Sequence, residues 1–156
     1  MTQSKWHNRF IDLTSHIATW SSCLRRQVGA IIVQDNRVIS TGYNGAPKGI
    51  ESCVECGQCR KESFQCGTNT GHDLCKAVHA EANAIAQASR YGISTNGATL
   101  YCNYSPCSMC AKLIINAGIA KVYYENEYPD RFAMELLDEA DVICEKIISE
   151  NKRNNE

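Results

Sequence analysis

His79-Ala80-Glu81 and, about 25 residues on, Pro106-Cys107-Ser108-Met109-Cys110 are the two stretches around which this chain is organised. The first supplies an imidazole and a carboxylate, the second two thiols three positions apart. Cysteines at i and i+3 lie on one face of a helical turn, so both can reach one metal ion. With His79 they form a Cys2His set, and three protein ligands with an open fourth position are what catalytic zinc sites use. Glu81 is then a carboxylate beside the water of that fourth position rather than a ligand. Residues two apart in a regular helix point to different faces. His79 and Glu81 therefore converge only if a helix begins there, with His79 near its N-cap. Pro106 makes the same point for the second stretch, because proline favours the first helical position. Both stretches would aim positive helix ends at the thiolates and the water. A lone histidine is usually a core or surface residue, and a lone C-x-x-C is as often redox or structural. The conjunction points to a zinc hydrolase.

The chain has 156 residues, enough for one domain with a proper core. Apolar residues make up 44% and charged residues 21%, as in ordinary globular proteins. The net charge of -1 leaves no basic surplus of the kind long nucleic-acid contacts need, so a large RNA or DNA substrate is disfavoured. No run approaches the 18 or so apolar residues of a membrane span, and the first residues lack a signal-peptide pattern, so a cytoplasmic location is expected. Ten cysteines without a secretory signal favour metal binding over disulfides. Cys102 and Cys144 lie in apolar runs and read as small buried side chains.

Trp6, Phe10, Leu13, Ile17 and Trp20 form one apolar stripe, predicting an amphipathic helix over residues 4–20. Val28 to Val33 and Arg37 to Tyr43 read as strands joined by an Asp35-Asn36 turn, and the second runs into the loop Asn44-Gly45-Ala46-Pro47-Lys48-Gly49. Residues 50–76 show no clean period and carry Cys53, Cys56, Cys59, Cys66, His72 and Cys75. Such a stretch cannot order itself by burial, but a metal could do so. Helices are predicted from His79 to Tyr91, from Cys107 to Ala117 and from Asp130 to Ala140, the last with Phe132, Leu136 and Leu137 inward. Strands are predicted from Ala98 to Tyr104, Lys121 to Tyr124 and Val142 to Cys144. A helix between the last two strands allows them to run parallel. The expected fold is α/β: a mixed five-stranded sheet with helices on both faces, both metal stretches lying just beyond strand ends. One domain is expected over residues 1–150, with a Cys-rich insertion at about 50–76 and a polar tail at 151–156.

The H-x-E and P-C-x-x-C motifs together are the signature of zinc-dependent nucleobase deaminases. Cys23-Leu24-Arg25-Arg26-Gln27-Val28-Gly29-Ala30, Thr41-Gly42-Tyr43-Asn44-Gly45-Ala46-Pro47, Ala77-Val78-His79-Ala80-Glu81-Ala82-Asn83-Ala84-Ile85 and Pro106-Cys107-Ser108-Met109-Cys110-Ala111-Lys112 extend the match. Over about residues 4–145 the chain resembles the deoxycytidylate (dCMP) deaminases of the cytidine deaminase-like superfamily. The Gly-Tyr-Asn-Gly loop and the Cys-rich insertion carry the likeness to that group in particular. The resemblance implies a three-layer α/β/α fold, hydrolysis of dCMP to dUMP and ammonia, and a hexamer. It also implies activation by dCTP with Mg2+ and inhibition by dTTP.

On this reading zinc brings the pKa of a water toward about 7. Glu81 takes the water's proton to N3 of the pyrimidine, C4 is attacked, and Glu81 passes a second proton to the departing amine. The resemblance further places the N–H of Ala80 at the base's O2 and the carbonyl of Ser105 at its amino group. It puts Asn44 at the deoxyribose 3′-hydroxyl, and Arg25 and Tyr128 at the phosphate, where a guanidinium offers several donors. A second, structural zinc is expected from Cys23, Cys53, His72 and Cys75, a closed tetrahedral set, with Cys56, Cys59 and Cys66 as equally good ligands. Four alternatives stand beside this reading: deamination of dCTP as well, a tRNA adenosine deaminase, a free-cytidine deaminase, which usually has Cys where His79 stands, and a non-enzymatic zinc protein. The near-neutral charge and long insertion speak against the tRNA enzyme, and the spare carboxylate of Glu81 against the non-enzymatic protein.

Overall fold

The computed structural model describes residues 3–148. The polar tail expected at 151–156 lies outside them. Among the described residues the elements run α1 (Gln3–Ala18), β1 (Gly29–Gln34), β2 (Arg37–Tyr43), α2 (Cys53–Cys56), α3 (Arg60–Ser63), a 3-10 turn (His72–Leu74), α4 (Ala80–Arg90), β3 (Thr99–Tyr104), α5 (Ser108–Asn116), β4 (Lys121–Asn126), α6 (Arg131–Glu139) and β5 (Ile143–Lys146). The five strands form one sheet in the order β2-β1-β3-β4-β5. β1 pairs antiparallel with both β2 and β3, while β3–β4 and β4–β5 are parallel. The sheet is therefore mixed. Its parallel half is built by α5 and α6, the crossovers that parallel neighbours require.

Strand alternation divides the core in two. Ile31, Val33, Tyr101 and Tyr123 pack with Phe10, Ile11 and Ile17 of α1. Ala30, Ile32, Leu100, Cys102 and Val122 face the other way, against Ala80 and Ala84 of α4, Cys110 and Ile114 of α5 and Leu137 of α6. The result is the expected α/β/α sandwich. Asp35 and Asn36 both adopt left-handed backbone, φ 51° and 57°, which closes the β1–β2 hairpin tightly. Cys102 is fully buried, and Cys144 packs at the margin of the same cluster.

Two apolar residues depart from the expected pattern. Trp20 is 52% exposed because α1 stops at Ala18, and its ring lies edge-on to Tyr43 rather than in the core. Phe132 is 53% exposed, near Lys112, while Ala133 and Leu137 fill the interior side of α6. The inward stripe of α6 thus begins one residue later than expected. The 50–76 stretch forms two single-turn helices, the first closed by a Ser52–Glu55 capping box.

α4 rides directly on β2. A side chain at Gly42 would collide with the carbonyl of Ala80 and the amide of Ala84, so the strand must carry a glycine there. Asn83 adds a hydrogen bond to the Tyr43 carbonyl at 2.8 Å. Gly42→Ala pushes two backbones apart at the first turn of α4 and should cost about 2–3 kcal/mol of unfolding free energy. Urea titration at fixed zinc concentration reads this, and an unshifted midpoint would contradict the close packing.

Candidate metal centre and substrate cavity

His79 is the N-cap of α4 and Cys107 the N-cap of α5, both in extended conformation with no side-chain capping bond. Their side chains are therefore free to turn toward each other. Pro106 precedes the cap instead of occupying the first helical position, so α5 begins later than the proline implied. His79 Nδ1 lies 3.3 Å from Cys107 Sγ and 3.5 Å from Cys110 Sγ. Among the described residues this trio is the one group whose ligand atoms all lie within 4.8 Å. Zn–S bonds of about 2.3 Å and Zn–N bonds of about 2.0 Å in a tetrahedron separate such atoms by roughly 3.5 Å. The residues fit a zinc ion.

The electrostatics favour a cation as well. Cys110's thiol, then His79, stabilise the Cys107 thiolate and bring its pKa down to about 4, although burial works against this. Cys110 is pushed up by its bond to Cys107 and by burial. The Cys107 sulfur in turn raises His79 against the effect of burial. Glu81, on the first turn of α4, is fully enclosed, and burial raises its carboxyl. Two thiols and a carboxylate in one dry place cannot all ionise unless a positive charge joins them.

The centre opens into a cavity of about 250 Å³. Ala80 and Ser105 lie on its wall beside Glu81, both buried. Arg25, Asn44 and Tyr128 line it too. Asn44 is committed on two sides: Oδ1 accepts from Val28 N–H, and Nδ2 donates to the Arg26 carbonyl, each at 2.8 Å. A second lone pair and a second N–H remain for a ligand. Arg25 Nη1 donates to the Cys66 carbonyl at 3.1 Å. Tyr128 is held by its own N–H donating to Ser105 Oγ at 2.7 Å. Gly45 and Val78 exchange backbone hydrogen bonds, tying the Gly-Tyr-Asn-Gly loop to the residue before His79.

Arg26 and Lys61 also line the cavity, and neither stood out in the sequence. Arg26 stacks 4.8 Å from the Tyr104 ring and 5.2 Å from the Tyr128 ring. Its adjacency to Arg25 was the available signal. Lys61 had none, being one basic residue in an aperiodic stretch.

The four residues expected to hold a second metal are not drawn together as the trio is. Burial and the neighbouring thiols of Cys59, Cys23, Cys75 and Cys56, in that order, raise the Cys53 thiol. His72 is turned away from this group. Its Nε2 lies 3.1 Å from Asn69 Oδ1, and its ring sits edge-on to His79 with centroids 5.2 Å apart. Cys75 leaves the 3-10 turn in extended backbone, so the i, i+3 pair is not presented on one face. Cys59 lies near Cys53 as Cys23 and Cys75 do, and all four thiols line the cavity together with His72.

Helix starts beyond strand ends, a Cys2His trio and an enclosed carboxylate define an α/β metallohydrolase centre. Residues 4–126 match the family described as the cytidine and deoxycytidylate deaminase zinc-binding region, and the chain belongs to that family. The ComE operon protein 2 of Bacillus subtilis is 38% identical over 148 residues, 94% of this chain and 74% of the relative. A deoxycytidylate deaminase of Mycobacterium phage D29 is 40% identical over 130 residues, 81% of this chain and 99% of the relative. The crystal structure of a dCMP deaminase from cyanophage S-TIM5, in complex with dCMP and dUMP, superposes with a TM-score of 0.76 at 29% identity, covering 94% and 99% of the two chains.

Asp130 holds the metal helix from behind. Its Oδ2 accepts from Ser108 N–H at 2.8 Å and its Oδ1 from Ala133 N–H at 3.2 Å, capping α5 and α6 at once. Burial alone would raise this carboxyl, but those N–H groups outweigh it and hold the pKa below the usual range. Asp130→Ala should cost about 1–2 kcal/mol. Because the folded pKa is depressed, the contribution is complete above the unfolded value of about 3.9 and fades as pH falls through the lower folded value. The gap in denaturant midpoint between wild type and variant should therefore narrow as pH falls below the unfolded value, and a gap that does not narrow on acidification would contradict the role.

Proposed function

We propose that this chain hydrolyses dCMP to dUMP and ammonia. The observation that carries the proposal is the enclosed Glu81 carboxylate beside the His79–Cys107–Cys110 trio, at the end of a cavity with basic residues on its wall. The phage relatives named for the same substrate support it. Zinc held by the trio supplies the Lewis acidity that makes a water acidic near neutral pH. Glu81 holds that water's proton and gives it to N3 of the cytosine ring as the oxygen adds to C4. Glu81 then takes the remaining proton from the oxygen now on C4 and passes it to the exocyclic nitrogen, so that the C4–N bond breaks, C4=O forms and ammonia leaves. The Ala80 N–H, at the start of α4, binds the base's O2. The Ser105 carbonyl accepts from the amino group, which favours cytosine over uracil. Asn44 offers its remaining N–H or lone pair to the 3′-hydroxyl. Arg25 and Tyr128 stand at the phosphate.

The finer parts of the reading follow from the same resemblance. The product dUMP would feed thymidylate synthesis, in a cytoplasmic hexamer activated by dCTP with Mg2+ and restrained by dTTP. A second zinc would clip the insertion to the loop before β1. Its ligands would be Cys23, Cys53, His72 and Cys75, and the thiols of Cys59 and Cys56 lie near enough to Cys53 to be alternatives. Among the described residues no helix is long and apolar enough to cross a membrane.

Glu81→Gln should keep its zinc and its fold but lose turnover of dCMP by about 10² to 10⁴-fold, the usual worth of acid–base catalysis. Ammonia release and metal content measured on one sample decide it, and near wild-type kcat in a zinc-loaded variant would remove the mechanism. The substrate is tested by offering dCMP, cytidine and an adenosine-containing tRNA to the wild type; preference for either of the latter would replace the reading. Cys53→Ser should lower bound zinc from two ions per chain to about one, together with the melting temperature.

A further inference from the structure

Lys61 is 8% exposed, on the single-turn helix α3 of the Cys-rich insertion. Lysine is almost never enclosed to that extent unless it is paired. Among the described residues its ammonium has no hydrogen-bond or ion-pair partner; the ion pairs Arg131–Glu135 and Lys146–Glu127 both lie at the surface. It lies close enough to His72 and His79 to act on both. The stem is enclosed while the ammonium opens onto the cavity, where a bound anion can reach it.

Its position is nonetheless well determined. The Cys66 N–H donates to the Lys61 carbonyl at 2.8 Å, and the Cys66 carbonyl accepts the Arg25 guanidinium at 3.1 Å. Cys66 thus joins two basic residues that line the same cavity. The Lys61 stem passes Gly71, where a side chain would crowd Cys66 and come within 3.8 Å of the Lys61 Cε. Gly71 sits at φ +62°, so the turn that makes room for the lysine is one that glycine adopts freely. Arg26, stacked on Tyr104 and Tyr128, adds a third cation to the lining.

We propose that Lys61 is a substrate-binding residue whose missing partner is the anionic group of the nucleotide. The proposal rests on the dCMP reading above and deepens it: the 5′-phosphate is read from two sides, by Arg25 from the segment before β1 and by Lys61 from the insertion. The phosphate supplies charge-assisted hydrogen bonds to an ammonium that no described side chain engages. A nucleoside has no such group and leaves the lysine unpaired. A polar site that binds a group rejects the analogue lacking it far more strongly than an apolar pocket rejects an extra methylene. The insertion is therefore part of the specificity apparatus, selecting nucleotide over nucleoside.

The zinc-loaded full chain is assayed with dCMP and deoxycytidine, as wild type, Lys61→Met and Lys61→Arg. Lys61→Met should raise KM for dCMP about 10- to 100-fold, the worth of one hydrogen bond to a charged group, with kcat changed less than KM. The preference for dCMP over deoxycytidine in kcat/KM should fall by the same factor, and Lys61→Arg should recover part of it. An unchanged preference, or equal losses on both substrates, overturns the proposal. Inorganic phosphate gives a readout independent of turnover: it should raise the melting temperature of the wild type and not that of Lys61→Met. A zinc-loaded wild type that phosphate protects but that leaves dCMP intact would overturn the deamination reading and keep the anion site. Equal protection of both proteins by phosphate would remove Lys61 from it.

Discussion

The N-termini of α4 and α5 meet beyond the ends of the sheet, and the rest of the site follows from that meeting. Each helix begins with a metal-ligating residue as its N-cap, His79 in one and Cys107 in the other. An N-cap side chain ordinarily turns back to its own helix. Here both are released from that duty and point at a shared centre between the two helix starts. The thiolates thus sit at the positive ends of two helices, which lowers the cost of ionising them. The compensation lies next door, where Asp130 caps α5 from outside by accepting from Ser108 and leaves Cys107 free.

That arrangement leaves little tolerance in the surrounding packing. α4 must approach β2 closely enough for His79 to reach the sulfurs, and Gly42 permits the contact. The Gly45–Val78 bridge then fixes the residue before His79 to the substrate loop. A run of asparagines secures the remaining wall. Asn44 holds the backbone at 26 and 28, and Asn103 accepts from Gly29 N–H while donating to the Gln27 carbonyl. Segment 26–29 has no sheet partner for most of its length, and side-chain amides supply one. Arg25 and Arg26 take their place in the cavity because that segment is pinned.

Much of this was legible in the sequence, for identifiable reasons. The apolar runs of β1 and β3 and the Asp35-Asn36 turn are local signals, and the strands and hairpin lie within a residue or two of the expected bounds. The converging helix starts were legible because His79 and Glu81 can share a site in no other way. Trp20 and Phe132 misled because periodicity registers an apolar side chain without registering where the helix ends or which side of a stripe is covered. The second-metal ligands rest on spacing alone. Spacing says which residues a turn could present together, but the backbone leaves the 3-10 turn at Cys75, and His72 is claimed by Asn69 and His79. Lys61 was invisible because its meaning lies in what is missing around it, and composition carries no record of an absent partner.

The insertion between β2 and α4 shows why an aperiodic stretch can persist in a compact protein. It contributes few side chains to either hydrophobic cluster, so burial does not explain its order. What it places around the cavity is a set of chemical groups: Cys53 and Cys59 among mutually close thiols, His72 against His79, and the Lys61 ammonium. Each is unfavourable alone. Burial and the neighbouring thiols raise the Cys53 thiol, and the Lys61 ammonium lacks a counter-charge among the described residues. A cation relieves the first cost and an anion the second. The order of the segment is then conditional on what it binds, and the same residues that are expensive without ligands become the means of recognising them.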